Sequence, residues 1–375
     1  MYSESEIASA VAAGAITAQA ADALRDHVAK LRNLPAADEE NVRLISSFND
    51  IFVTIACSLV IFSAIYVGTD SHAWVGGALV AIASWAMAEI FTRKRHMALP
   101  SIVLLGALVV GAGIAASDVA GLLMPRHEIV RSFNYNGHTN FWTAEVRYPW
   151  QEGLMALAGA AIAGICAVLH WLRFRIAITV AAAIGAAVLI VLAIVAALTD
   201  QKIAANPFIA PVALGCGIVV FIVAMRWDLS DPERRTQRAD IAFWLHLLAA
   251  PLLAHPMFYW LGVLGNNRIS LASGLAVLGI YCAFGFIALI IDRRALLVSA
   301  LAYVIAALFA LLDTFGSVSS AVALTTLLIG CALLALSVLW APLRARALHL
   351  APEALRLRLP AAAVLIPGRI SLPPP

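Results

Sequence analysis

The stretch RADIAFWLHLLAAPLLAHP, residues 238–256, is apolar except for Arg238, Asp240 and two histidines, and it carries two prolines. Ionisable side chains inside a bilayer are costly and tend to mark ion or substrate paths. One reading is therefore a proton or ligand path. Asp240 would stand at its inner mouth, His246 about two turns in, and His255 toward the outer end. The other reading is a kinked helix whose histidines hydrogen-bond neighbouring helices. A helix turns about 100° per residue, so His246 and His255 fall on opposite faces. They share no metal site unless Pro251 bends the helix strongly. Pro251 also removes the usual donor to the Leu247 carbonyl, which a nearby polar group or water could replace.

Other charged groups fall into patterns. Asp70, Asp118, Asp200 and Asp313 each follow an outward-running apolar segment. This acidic fringe could gather cations at an outer mouth, or it could simply end helices. Glu89 and His170 lie near inner ends, where polar side chains can snorkel. The densest charge is RWDLSDPERRTQRAD, 226–240. Ser230 or Asp231 can cap a short helix with Pro232 in its first turn. Arg234, Arg235 and Arg238 would then face anionic headgroups or an anionic partner. The N-terminal segment, with Glu4, Glu6, Asp22 and Asp26, is one such partner.

Phosphate loops, HExxH, paired CxxC and GxSxG do not occur. Cys57, Cys166, Cys216, Cys282 and Cys331 all lie inside apolar segments and read as packing residues. His255 and Ser273 both lie toward the outer side. LASG at 271–274 is nevertheless a weak nucleophile context, with no base and orienting group beside it. The expectation is a chain with no catalytic residues, no metal and no cofactor.

The elements that must carry these groups are membrane helices. Hydrophobic residues make up 62% of the 375 and charged residues 13%, against about 45–50% and about 25% in soluble domains. A spanning helix takes about 20 mostly apolar residues. Ten segments qualify: 51–68, 73–91, 99–117, 153–172, 176–198, 206–225, 241–261, 270–291, 295–313 and 318–340. The predicted fold class is an all-α polytopic bundle. With the N-terminus inside, twenty of the 25 Lys and Arg fall in inner segments. Arg126, Arg131, Arg147, Lys202 and Arg268 are the outer ones. A different span count would destroy this asymmetry, so both termini are expected in the cytoplasm. Basic residues spread over short loops imply contact with the lipid bilayer and no nucleic-acid partner. The glycines of 106–113, 159–164 and 215–217 sit within spans and let helices approach closely.

Three regions follow. Residues 1–48 contain a capping box, Ser3 with Glu6. Ile7, Ala10 and Val11 share a face before Gly14 breaks the run. Ala20, Leu24, Val28 and Leu31 then recur at helical spacing until Pro35. Residues 3–32 thus predict a cytosolic helical hairpin that docks on the membrane or on a cytosolic protein partner. Val42, Ile45, Phe48 and Phe52 line an amphipathic entry helix, and no cleavable signal is expected in this region. Residues 49–340 form the bundle. Within it, 118–152 makes an extracytoplasmic loop with a hairpin signal at Asn136-Gly137. That loop is either a binding lid or a membrane-hugging cap. Residues 341–375 are a basic tail, with a short interfacial helix and then disorder.

Four stretches carry a resemblance: VAAGAITAQAADAL (11–24), FNDIFVTIA (48–56), SDPERRTQRADIAFWLHLLAAPLLAHP (230–256) and DRRALLVSALAY (292–303). Together they resemble an uncharacterised family of bacterial polytopic inner-membrane proteins. The resemblance implies that location and lends no activity. Two functions compete. One is a non-catalytic envelope scaffold or sensor. The other is a small-solute or ion transporter, possible as two inverted five-helix repeats meeting near Ile203. An intramembrane hydrolase is a distant third.

Overall fold

The computed structural model describes residues 4–31, 48–69, 72–135, 138–202, 206–231, 234, 236–262, 271–294 and 318–350, with short pieces at 296–297, 301, 304–305 and 308–309. Ser3 of the capping box, most of the entry segment, Asp70, Arg235, Asp313, most of the 295–313 span and the tail from 351 lie outside these residues.

Two short helices lead, α1 (Glu4–Ala12) and α2 (Ala18–Leu31). Gly14, at φ +71, makes the turn between them, and Thr17 Oγ1 accepts the Ala20 N–H at 3.1 Å to start α2. The long helices follow. They are α3 (Phe48–Thr69), α4 (Ala73–Ala88), α5 (Ala98–Leu122), α6 (Pro149–Phe174), α7 (Ala177–Thr199), α8 (Ile209–Leu229), α9 (Gln237–Trp260) and α10 (Leu271–Ile291). A π-helical turn, Glu89–Lys94, extends α4. After it come α11 (Val318–Val338) and α12 (Trp340–Leu350), bent by 75° at their junction.

Eight of the described helices are long and apolar enough to cross a membrane, or nine if the bent α11–α12 pair is one span. Their surfaces agree with a lipid environment. Between 11% and 50% of each apolar window is buried, so at least half of every window keeps some outward exposure. Phe62 (68% exposed), Ile82 (68%) and Leu198 (80%) are examples. A soluble protein rarely exposes apolar area on this scale.

Between α5 and α6 the chain forms an antiparallel hairpin, β1 (His127–Tyr135) and β2 (His138–Val146), in register from His127↔Val146 to Tyr135↔His138. Its base is tied to the bundle. Arg147 Nη2 donates to the Gly121 carbonyl at 2.9 Å, and Gln151 Nε2 to that of Pro125 at 3.1 Å. This is the end of the bundle opposite the arginine-rich loops, and a second tie recurs there. Asp118 Oδ2 accepts the Trp74 N–H of α4 at 3.0 Å, and Asp200 Oδ1 accepts the Trp150 N–H of α6 at 3.0 Å. The two described members of the acidic fringe therefore cap neighbouring helices. Helix starts present unpaired N–H groups and favour negative charge.

Candidate functional site: a buried ion network at the arginine-rich end

The site begins with α8, which runs one turn further than its apolar stretch. Gly217, Val220 and Ala224 are its buried stripe, and Asp228 is the next position in phase. The carboxylate is therefore carried inward, at 1% exposure. On α9, His246 lies in a buried face made mostly of alanine, including Ala239, Ala242, Ala249 and Ala250. Small neighbours leave room for a ring to reach across. His246 Nε2 and Asp228 Oδ2 are 2.9 Å apart, with the Phe221 ring edge-on to the imidazole.

The third member comes from the end of α10. There Asp292 takes the left-handed conformation, φ 57, and the Arg293 N–H bonds back to the Ala288 carbonyl at 2.9 Å. This tight helix-ending turn swings Arg293 back into the bundle, where it is 2% exposed. Its guanidinium holds Asp228 through two nitrogens, with Nε to Oδ2 at 3.1 Å and Nη2 to Oδ1, and also reaches the Ala239 carbonyl at 3.3 Å. One aspartate thus joins α8, α9 and α10.

Asp292 anchors a second group beside the first. Arg234, also left-handed at φ 52, donates Nη1 to Asp292 Oδ2 at 3.0 Å and Nη2 to the carbonyls of Asp292 and Ile291 at 3.1 and 3.3 Å. Burial pushes the Arg234 guanidinium below its ordinary pKa; nearby Arg293 adds to this and Asp292 opposes it. It stays charged because arginine starts so high. From α12, Trp340 Nε1 donates to Asp292 Oδ1 at 2.9 Å, and Arg344 Nη1 lies 3.5 Å from Oδ2. Arg294 stacks over the Trp340 ring at 4.8 Å. The 75° bend before α12 is what brings Trp340 and Arg344 to this carboxylate. Left-handed non-glycine residues carry strain that surrounding contacts must hold. Here both partners of one ion pair adopt it.

A smaller polar group lies where α4, α6 and α7 meet. His170 is fully buried, with Nδ1 3.1 Å from Thr179 Oγ1 and the rings of Trp85 and Phe174 against it. It does not snorkel, because a hydroxyl on the neighbouring helix already meets it. Glu89 accepts from Arg173 Nε at 2.8 Å and Nη2 at 3.1 Å.

The residues singled out in the sequence separate. His246 is in the network. Asp240, in the first turn of α9, and His255, further along, are both exposed, so the three are not strung along one buried line. Arg234 turns inward, whereas Arg238 is exposed. The sequence alone does not single out Asp228, Asp292, Arg293, Arg344 and Trp340. Asp228 had a signal, its phase with Gly217, Val220 and Ala224; the others depend on chain reversals that no periodicity reveals. The network can fix helices against one another, and it holds a histidine beside a carboxylate. Among the described residues no cluster of His, Cys, Asp and Glu is placed to hold a metal ion. Comparison of the chain with family models, with curated proteins and with solved structures finds no match.

Proposed function

We propose that the chain is a non-catalytic scaffold or sensor of a bacterial inner membrane, crossing it ten times with both ends in the cytoplasm. The observation that carries this reading is the enclosure of His246. Its ring is 0% exposed, its Nε2 meets Asp228, and Arg293 holds the same carboxylate. A fully packed ion network is what a fixed frame needs, whereas a transport path needs water at its ionisable groups. The placement of twenty of the 25 Lys and Arg in alternate loops supports the threading. The resemblance of 230–256 and three other stretches to an uncharacterised inner-membrane family supports the location. The α1–α2 hairpin is the part left to meet a cytosolic partner.

The test is water access. Single cysteines at His246 and at Ala249, its 0%-exposed neighbour, are placed in a background lacking the five native cysteines. Each is treated with an impermeant thiol reagent from each side. The scaffold reading expects no labelling at either position, with Asp240→Cys labelled from the cytoplasm. Labelling at both positions would reject it. One observation favours the second reading, a proton-coupled transporter using His246 and Asp240: the buried His246 Nδ1 has no hydrogen-bond partner among the described residues. Water reaching that atom would give the labelled outcome.

A further inference from the structure

We infer that the arginine-rich end carries a binding groove for one anionic phospholipid, built by α6, α8 and the start of α9. Two adjoining hollows of about 390 and 270 Å³ share Trp227, Ser230 and Arg238. The larger extends to Trp171 and Ile241, and the smaller to Arg226. The groove therefore has apolar walls at one end and two guanidinium groups at the other.

Three observations choose the occupant. The first is charge. Arg234, Arg293 and Arg344 are all committed to Asp228 or Asp292, and Arg173 to Glu89. Arg226 and Arg238 are exposed and have no ion-pair partner among the described residues, so the groove presents two cations that no carboxylate there neutralises. The second is the start of α9. Thr236 Oγ1 accepts the Arg238 N–H at 3.2 Å and donates to Asp231 Oδ2 at 2.7 Å. Asp231 is thereby engaged and buried, and the helix start adds its own partial positive charge. The third is an apolar track. Val219, Ile222 and Arg226 follow one face of α8 at spacings of three and four, and Val219 and Ile222 are exposed. A phosphodiester held by Arg226 and Arg238 would place its acyl chains along that track, with Trp171 and Trp227 at headgroup depth. A soluble phosphate would use the cations and ignore the track. The inference rests on the bilayer reading of the apolar helices and not on the role of the buried network.

The experiment uses the full chain in mild detergent, titrated with phosphatidylglycerol or phosphatidylcholine brominated on the acyl chains. Tryptophan quenching is read against a Trp227→Phe variant to isolate the groove. Phosphatidylglycerol is expected to quench Trp227 at a concentration on the order of tenfold lower, as two basic residues near an anionic surface would give. Arg226→Gln/Arg238→Gln is expected to abolish that preference. Arg93→Gln/Lys94→Gln, which removes the same charge elsewhere at this end, is expected to keep it. Should the glutamine pair not fold, Arg238→Gln alone is expected to lose most of it. Equal quenching by the two lipids, equal loss in the Arg93/Lys94 variant, or relief of quenching by inorganic phosphate would each overturn the proposal.

Discussion

From α3 to α7, each successive pair of helices meets at a glycine. A Cβ on Gly68 would fall 2.1 Å from Gly76 Cα, one on Gly77 2.5 Å from the Gly111 carbonyl, one on Gly159 2.8 Å from that of Gly113, and one on Gly153 2.5 Å from Ala197 N. Among α8, α9, α10 and α12 charged joints are added, where Asp228 and Asp292 gather three arginines, a histidine and a tryptophan. In lipid there is little hydrophobic drive between helices, so contact must come from close packing or from polar bonds. The first half leans on glycine contacts and the second on the network, although Gly217 also closes α8 on α9 and Glu89–Arg173 and His170–Thr179 add polar contacts to the first half. Close packing is local, and each joint stands nearly alone. A buried ion network is shared, and each member leaves others uncompensated when it goes.

That contrast gives the largest expected effect. Asp228→Leu strips Arg293 and His246 of their common acceptor. Removing one partner of a buried pair costs about 3–5 kcal/mol, whereas replacing both with apolar residues is often close to neutral. Arg293→Met should therefore be as damaging as Asp228→Leu, and the double variant should recover more than half of either loss. Denaturant unfolding of the purified protein, followed by circular dichroism, measures this. Additive losses would mean that the two side chains do not form one unit.

The glycine joints should respond differently. Gly77→Ala pushes a methyl against the backbone of α5, and overpacking of this kind costs about 1–3 kcal/mol. Gly106, on the same helix α5 as Gly111, has nothing within 4 Å of its Cβ position. Gly106→Ala should be neutral or stabilise by up to about 1 kcal/mol, the helix-propensity difference. The same unfolding assay reads both, and equal effects at 77 and 106 would remove the distinction between contact and non-contact glycines. A Gly77→Ala/Asp228→Leu double should be additive, since the two sites share no partner.

These sites also mark how far the sequence could be read. Apolar runs of about 20 residues reveal the long helices, because bilayer thickness fixes that length. The Asn136-Gly137 signal locates the hairpin, whose strands pair up to Tyr135↔His138. The glycine clusters indicate close packing but not which member makes it: Gly111, Gly113 and Gly159 sit at contacts, whereas Gly106 and Gly215 face open space. That choice depends on helix rotation, which a uniformly apolar span does not encode. His246 stands out as a polar residue in an apolar run. Its partner Asp228 resembles a loop residue in the sequence, because charge at the end of an apolar stretch reads as the end of the helix. Arg293 read as a topology signal, and the left-handed turn at Asp292 that sends it inward leaves no pattern in the residues.

The smallest expected effect separates two meanings of the acidic fringe. His72 gives α4 no side-chain cap, and Asp118 on α5 supplies the missing acceptor to Trp74. Pro149, first in α6, has no N–H, so Trp150 is the first donor there and Asp200 takes it. If these carboxylates serve as acceptors, asparagine can replace them, because its carbonyl oxygen accepts the same bond. Alanine cannot, and should cost about 1 kcal/mol at each site, the usual value of a lost cap. If they serve instead to gather cations at a mouth, asparagine and alanine remove the same charge and should be equally harmful to function. The unfolding midpoints of Asp118→Asn and Asp118→Ala, repeated at Asp200, decide between the two. A gap between the variants at both sites supports capping, and it ties the α3–α7 half together at the end that carries the β-hairpin, by hydrogen bonds that high salt leaves largely in place. No gap at either site would break the parallel between them and return the fringe to an electrostatic role.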